Sequence, residues 1–262
     1  MNKNFISILV TNYNKGKYIV KSINSCINQN FRNKEIIIFD DCSNDNSVDF
    51  LKKKKGITVY FNKKKKFKSG PLNQINGTYH VFKKSKGKVI FLLDGDDYFK
   101  KNKINYIFNL FDKNKDLNFI QDRAYLRRKK QKMFLKKKKF SYSIWPSFYP
   151  TSCIAIRREF LIDFFKFSEM NKFPNLEIDA RLSIYAFLND QFNLLKKSFT
   201  VYNFDNFGIT SNYKKFTLNW WKKRFEGFEY MKILMKKMNL KFVPSLDYYL
   251  TNLINSFIKK NI

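Results

Sequence analysis

The sequence predicts an α/β fold with a mostly parallel central sheet, helices on both faces and helices added at the C-terminus. Two short runs, Ile6–Val10 and Glu35–Phe39, are almost continuously apolar and rich in β-branched residues, the mark of strands covered on both sides. Between them Ile19, Ile23, Cys26 and Ile27 recur at helical spacing, as a crossover helix joining parallel strands requires. Strand and helix signals then keep alternating through the first hundred residues. The chain has 262 residues, 44% of them hydrophobic, enough to enclose a core of one or two domains and to exclude a disordered tail.

After the second strand, Asp40–Asn46 is a turn-forming and capping cluster, and Val48 and Leu51 begin a short helix running into Lys52–Lys55 and Gly56. Ile57–Phe61 reads as a third strand. A Lys-rich loop over 62–70 leads to a helix from about Asn73 to Lys84, and Lys88–Leu93 is a fourth strand that stops at Asp94-Gly95-Asp96-Asp97. From about Lys100 the pattern changes. Ile104, Ile107, Phe108 and Phe111 predict a helix, and Phe119–Arg127 and Gln131–Leu135 predict antiparallel strands about the basic turn 127–130. Trp145–Ser152 reads as an aromatic loop, Cys153–Ile156 as a buried strand, and Arg158–Phe167 and Leu176–Leu188 as helices. The expected division is 1–105, 106–215 and a helical extension 216–262, with no Pro/Gly/Ser linker between them. On the last segment Trp221, Phe225, Phe228, Met235 and Met238 form one stripe, with Lys222, Lys223, Glu226, Glu229, Lys236 and Lys237 elsewhere. That helix either packs on the body of the protein or rests on anionic lipid.

Fifty-two basic against 21 acidic residues leave a formal charge of +31. Such an excess ordinarily suggests a polyanion, but it is nearly all Lys and accompanies many Asn, Ile and Phe, which reads as compositional drift. Arg, suited to bidentate phosphate and base contacts, is scarce, so no nucleic-acid partner is expected. The Lys63–Lys66 and Lys136–Lys139 runs are read as solvated loops. Cys26, Cys42 and Cys153 are too few and too scattered for a disulfide framework or a thiolate metal site, and no signal-peptide pattern or long apolar span is seen, so the cytoplasm is the expected compartment. His80 is the sole histidine, which excludes His-based triads and multi-His metal sites.

The acidic clusters carry the chemistry. Asp94, Asp96 and Asp97 stand at the carboxyl end of an apolar strand, where ligands of open α/β sheets collect. Carboxylates crowded in a tight turn repel one another unless a cation joins them, and as hard oxygen donors they suit a divalent ion that keeps positions for water and phosphate. Asp40-Asp41 ends the second strand on the same edge; one carboxylate is available to cap the next helix and the other to accept a ligand N–H. Thr11-Asn12-Tyr13-Asn14 closes the first strand with hydroxyl, amide and aromatic groups.

Four segments, Ile6–Lys15, Ser22–Gln29, Glu35–Asp45 and Phe91–Asp97, resemble in order and spacing the family 2 glycosyltransferases of the GT-A fold. The resemblance covers residues 5 to about 105. It implies inverting transfer of a sugar from a nucleotide-diphosphate donor, UDP- or dTDP-sugar favoured, to a glycan or lipid-linked acceptor, usually with Mg²⁺ or Mn²⁺. Carried over by position, it assigns Thr11, Tyr13 and Asp41 to the nucleobase, Asp94 or Asp96 to the ribose, Asp96 or Asp97 to the metal, and Asn73 to the donor. It also implies a carboxylate general base in the second half, for which Asp179 is the first choice and Glu177 the reserve. Alternatively Asp179 is a first-turn helix acid paired to Arg181 or a Lys. Phe148–Ser152 is a candidate acceptor wall and Gly208–Ser211 a candidate lid. Peripheral contact with the inner face of the membrane through the C-terminal helix completes the expectations. Two other readings compete, a basic nucleic-acid-binding protein and a nucleotidyltransferase on a similar α/β half; the first leaves the acidic clusters unexplained, and the second lacks its Gly-rich basic loop.

Overall fold

A computed structural model describes residues 5–135, 146–203 and 213–260. The chain runs β1 (Ile6–Asn12), α1 (Gly16–Ile27), β2 (Lys34–Asp40), α2 (Ser47–Lys53), β3 (Thr58–Phe61), α3 (Gly70–Lys84), β4 (Val89–Asp94), β5 (Tyr98–Phe99) and α4 (Lys103–Lys113). It continues through β6 (Phe119–Gln121), β7 (Ala124–Leu126), β8 (Gln131–Lys132), a 3-10 turn at Thr151–Cys153, β9 (Ile154–Arg157), α5 (Arg158–Phe167), α6 (Ile178–Leu188), β10 (Asn193–Leu194), β11 (Thr200–Tyr202), α7 (Leu218–Lys237) and α8 (Leu246–Lys260).

The main sheet has the order β10-β6-β9-β4-β1-β2-β3, and only β9 runs against its neighbours. Alternate residues of the central strands feed two cores. Leu9, Ile37, Ile90 and Leu92 face the side covered by α3, α5, α6 and α7, whereas Ile8, Val10, Ile36, Ile38, Phe91 and Leu93 face α1, α2 and α4. Continuous apolar strands thus meet helices on both faces, as the composition of those strands demands.

A smaller sheet, β5-β11-β7-β8, corrects one expectation. The segment read as one strand over Phe119–Arg127 is two strands in different sheets, parted at Asp122-Arg123. Asp122 forces the break: its buried carboxylate accepts from the backbone N–H of Phe199 and Thr200 (both 2.8 Å) and from Thr200 Oγ1 (2.8 Å). Lys103, also fully buried, pairs with it at 2.8 Å and donates to the Ser152 carbonyl (2.6 Å) and Thr200 Oγ1 (2.7 Å). Helix α3 begins three residues before the expected Asn73, because Ser69 Oγ accepts from Leu72 N–H and Pro71 suits the first turn.

The C-terminal stripe divides. Phe228 is buried and Met235 and Met238 pack against the core, so α7 rests on the body of the protein. Helix α8 packs against α7, held by the Arg224–Asp247 ion pair and by Asn255 Nδ2 donating to the Trp221 carbonyl (3.1 Å). No described helix is long and apolar enough to cross a membrane. The Lys136–Lys139 run and the Gly208–Ser211 lid candidate lie outside the described residues.

Removing one member of a buried ion pair strands the other charge, so Lys103→Met should lower unfolding stability by about 3–5 kcal/mol. Denaturant midpoints of the two proteins measure this, and adding Asp122→Asn should recover part of the loss.

Candidate functional site

Parallel register aligns the ends of three strands. Asn12 pairs with Asp40 across β1 and β2, and Thr11 with Asp94 across β1 and β4, so all three chains leave the sheet at one level. The βα turns that follow need left-handed backbone at Asn14 (φ 51°) and Cys42 (φ 61°). They are tied together: Asn14 N–H donates to Ser43 Oγ (2.9 Å), and Asn44 N–H donates to Asn14 Oδ1 (2.9 Å). Of the two strand-ending acids, Asp40 is buried and braces the turn, accepting from Asn12 Nδ2 (2.7 Å) and Ser43 N–H (3.0 Å). Asp45 rather than Asp40 or Asp41 serves the helix starts, accepting from the backbone of Gly16 (2.7 Å) and Ser47 (3.1 Å).

These ends open into a cavity of about 700 Å³, within the range of small-molecule sites. Thr11, Tyr13, Asp41, Asn73, Asp94, Asp96, Glu177 and Asp179 all line it. Asp41 accepts from Asn62 Nδ2 (2.9 Å), and Tyr13 is exposed with the Lys65 ammonium 3.1 Å over its ring. Asp94 Oδ1 accepts from Thr11 Oγ1 (2.9 Å) and Gln74 Nε2 (2.8 Å). Burial, and then the neighbouring Asp96 charge, push the Asp94 carboxyl up to about 6 despite those donors. Asp96 is paired with Lys15. Gly95 passes so close to β1 that a Cβ would stand 2.7 Å from Asn12 Oδ1.

Asp97, expected beside Asp96 as a metal ligand, does not line the cavity. It is fully buried and accepts from Ser152 Oγ (2.5 Å) and Asn203 N–H (2.8 Å), because β11 and the 3-10 turn close over it. Among the described residues no group of three or more His, Cys, Asp or Glu side chains comes together as a metal cage. Asn73 reaches the wall, but both ends of its amide are spent on the Phe67 backbone (3.0 and 2.9 Å), where it staples the Lys-rich loop. That loop is not wholly solvated, since Lys65 and Lys68 line the cavity.

Glu177 and Asp179 arrive from the start of α6. Arg181 does not pair with Asp179; fully buried, it donates to the carbonyls of Leu176, Ser168, Glu169, Lys172 and Phe173 and so winds the preceding loop around itself. Asp179 lies at the cavity with one oxygen accepting from Ala180 N–H (2.7 Å); burial first, then Glu177, raise its carboxyl to about 7. Glu177 is only 6% exposed and pairs with Lys223 of α7. In the aromatic loop, Tyr149 is buried and Phe148 packs on the core, leaving Pro150 and Thr151 at the cavity.

Reading by sequence missed Gln74, Lys15, Lys65, Asn203 and Lys223. For Gln74 the signal was present, one residue from Asn73 at the start of α3. Lys15 closes the first of the four segments that carry the family resemblance, whereas Lys65, Asn203 and Lys223 sit in Lys-rich or featureless stretches with nothing to distinguish them.

Comparison with known proteins agrees with this architecture. An uncharacterized glycosyltransferase of Haemophilus influenzae is 25% identical over 269 residues, covering 99% of both chains. An uncharacterized glycosyltransferase of Nostoc sp. is 32% identical over 111 residues, 40% of this chain and 32% of that protein; the chain thus spans about a third of the length of that relative. The crystal structure of S. aureus TarS 1–349 in complex with UDP-GlcNAc superposes with a TM-score of 0.63 at 16% identity, over 91% of this chain and 68% of that one, which makes the fold GT-A. The glycosyl transferase family 2 model matches residues 7–165, more than half of the sequence and the whole run from β1 through α5 that carries the strand-end acids; the chain belongs to glycosyl transferase family 2.

Proposed function

We propose that the protein is an inverting glycosyltransferase that moves a sugar from a nucleoside-diphosphate donor, UDP-sugar favoured, to a hydroxyl of a glycan or lipid-linked acceptor. The observation that carries this reading is one cavity in which strand-end groups suited to a nucleotide meet a carboxylate suited to a base. Among the described residues several buried polar atoms on its wall have no hydrogen-bond partner, Gln74 Oε1 and Asn203 Nδ2 among them, and a polar ligand would satisfy them. TarS, a structural neighbour, was solved with UDP-GlcNAc, which favours a uracil-bearing donor.

In this reading Asp41 accepts the base N–H, Tyr13 and Thr11 flank the ring, and Asp94 accepts from the ribose hydroxyls. Asp96 and Asp94 fit a Mg²⁺ or Mn²⁺ held by one or two carboxylates and completed by phosphate oxygens. The Lys15 ammonium on Asp96 and the Asp94 carboxyl beside it mark a spot where a cation is attracted. When bound, such a cation would stabilise the charge that develops on the departing diphosphate. Lys65 and Lys68 border the same volume and attract the anionic donor. Asp179 takes the acceptor proton on the face of the sugar opposite the leaving group, as inversion requires.

A cytoplasmic enzyme resting on an anionic membrane is the second part of the proposal, and α8 rather than α7 supports it. That helix is inverted: Thr251 and Asn255 are buried while Leu246, Tyr249, Leu250, Leu253 and Phe257 are exposed, Leu246 by 71%. Its one acid, Asp247, is paired with Arg224, and exposed Lys214, Lys215 and Lys241 lie on the adjoining segments.

Thermal unfolding with UDP and Mn²⁺ should show a raised midpoint, because a ligand that binds only the folded state stabilises it. Asp96→Asn should abolish the Mn²⁺-dependent part of that shift, and an unchanged shift would remove Asp96 from the metal site. Asp179→Asn should keep the UDP-induced shift yet lower turnover by ~100-fold or more. Because the base must be ionised and burial raises its carboxyl to about 7, the wild-type rate should fall as pH drops through neutrality. For the membrane, co-sedimentation with phosphatidylglycerol vesicles but not with phosphatidylcholine vesicles is expected, and Leu250→Glu with Leu253→Glu should abolish it without lowering the thermal midpoint.

A further inference from the structure

Helix α7 lies outside the stretch that carries the family resemblance, yet three of its residues at helical spacing, Lys223, Glu226 and Tyr230, meet the loop that delivers Glu177 and Asp179. Lys223 pairs with the buried Glu177 carboxylate, which has no hydrogen-bond donor among the other described residues. Three residues on, Glu226 accepts from the backbone N–H of Asn175 (2.7 Å) and from its side-chain amide. One turn further, the Tyr230 ring meets Phe173 edge to face at 5.7 Å and lies 5.5 Å from the Arg181 guanidinium around which the loop is wound. Tyr213, just before α7, donates to Asn175 Oδ1 (3.2 Å), and the Lys223 ammonium lies 4.6 Å from its ring.

A buried carboxylate two residues from a second one at the cavity is costly unless a cation joins them. Among the described residues the groups facing Glu177 are Lys223, Glu226, Arg181 and Tyr213; those facing Asp179 are Glu177, Lys223 and Asp94. Arg181 is spent on five carbonyls, so among the described residues Lys223 is the cation paired to this acidic group. Without it a proton would be shared between the two carboxylates, and the base would be occupied near neutral pH.

We infer that α7 belongs to the catalytic apparatus: Lys223 is a positioning residue that neutralises Glu177 and so keeps Asp179 free to accept a proton, while Glu226 fixes the loop that carries both. The inference rests on the reading of Asp179 as the base. It makes α7 a device that sets the working pH of the enzyme, and it gives Glu177 a role distinct from that of a reserve base.

The test is a pH titration of the full chain carrying ¹³C-labelled carboxyl groups, with the Asp179 resonance identified by its disappearance in Asp179→Asn. In Lys223→Met its midpoint should rise by about one pH unit or more, and in Lys223→Arg it should stay near the wild-type value. Adding Glu177→Gln to Lys223→Met should bring it back down. Glu177→Gln alone should lower it, an arm that needs no loss of the cation should Lys223→Met fold poorly. A midpoint that does not move in Lys223→Met or in Glu177→Gln overturns the inference, since packing alone would alter stability without altering the titration. If Asp179→Asn turns over donor at the wild-type rate, the base reading and the inference fall together. An inactive Asp179→Asn with an unmoved midpoint removes the α7 role and leaves the base in place.

Discussion

Asn12 ends β1 inside the protein, and the site depends on what it holds. Its side-chain amide is buried and faces Asp40 at the end of β2 (2.7 Å) and Ser43 and Ser47 in the turn beyond (3.2 and 3.1 Å). Its carbonyl accepts from Asp41 N–H (2.8 Å), and its side-chain oxygen lies against the place where only Gly95 fits. Asn12 thus locks the ends of β1 and β2, and its neighbour Thr11 ties the Asp94–Asp97 turn to the same level, its carbonyl accepting from Gly95 N–H (2.9 Å). Because the strands are parallel and in register, a shift of any one would turn its apolar residues out of one core and its polar end away from the cavity.

The cavity built on that edge concentrates negative charge in a protein whose total charge is strongly positive. Each carboxylate is handled differently. Asp97 is walled in and hydrogen-bonded, Asp96 is paired with Lys15, Asp94 shares one oxygen between two donors while its carboxyl is raised, and Glu177 is matched by Lys223. Among the described residues Asp179 accepts from one local backbone donor, and burial followed by the Glu177 charge raises its carboxyl to about 7. Carboxylates whose environments push their affinities for protons apart divide into acids, bases and structural members by position rather than by residue type.

Some of this was open to a reader of the sequence and some was not. The strand ends were legible because three apolar runs each stop at polar residues, and buried parallel strands must end at one edge. The break at Asp122 was hidden, since a single Asp within Phe119–Arg127 does not announce that Lys103, nineteen residues earlier, and Thr200, far later, will close around it. Arg181 next to Asp179 suggested an ion pair; the fold instead spends it on a ring of carbonyls. In α8 the apolar side faces out while Thr251 and Asn255 face in, an arrangement set by packing against α7.

Local chemistry by itself determined the alternation of strands and helices, the two-sided burial of the central strands and the edge on which acids gather, because period and side-chain polarity act over a few residues and need no distant partner. Tertiary structure alone decided which acids face the cavity. Asp96 and Asp97 are adjacent and chemically identical; one meets Lys15 at the opening and the other meets Ser152 and Asn203 in the interior. The groups that make this distinction come from chain segments up to about a hundred positions away, and their arrival is set by packing, which no short stretch of sequence encodes.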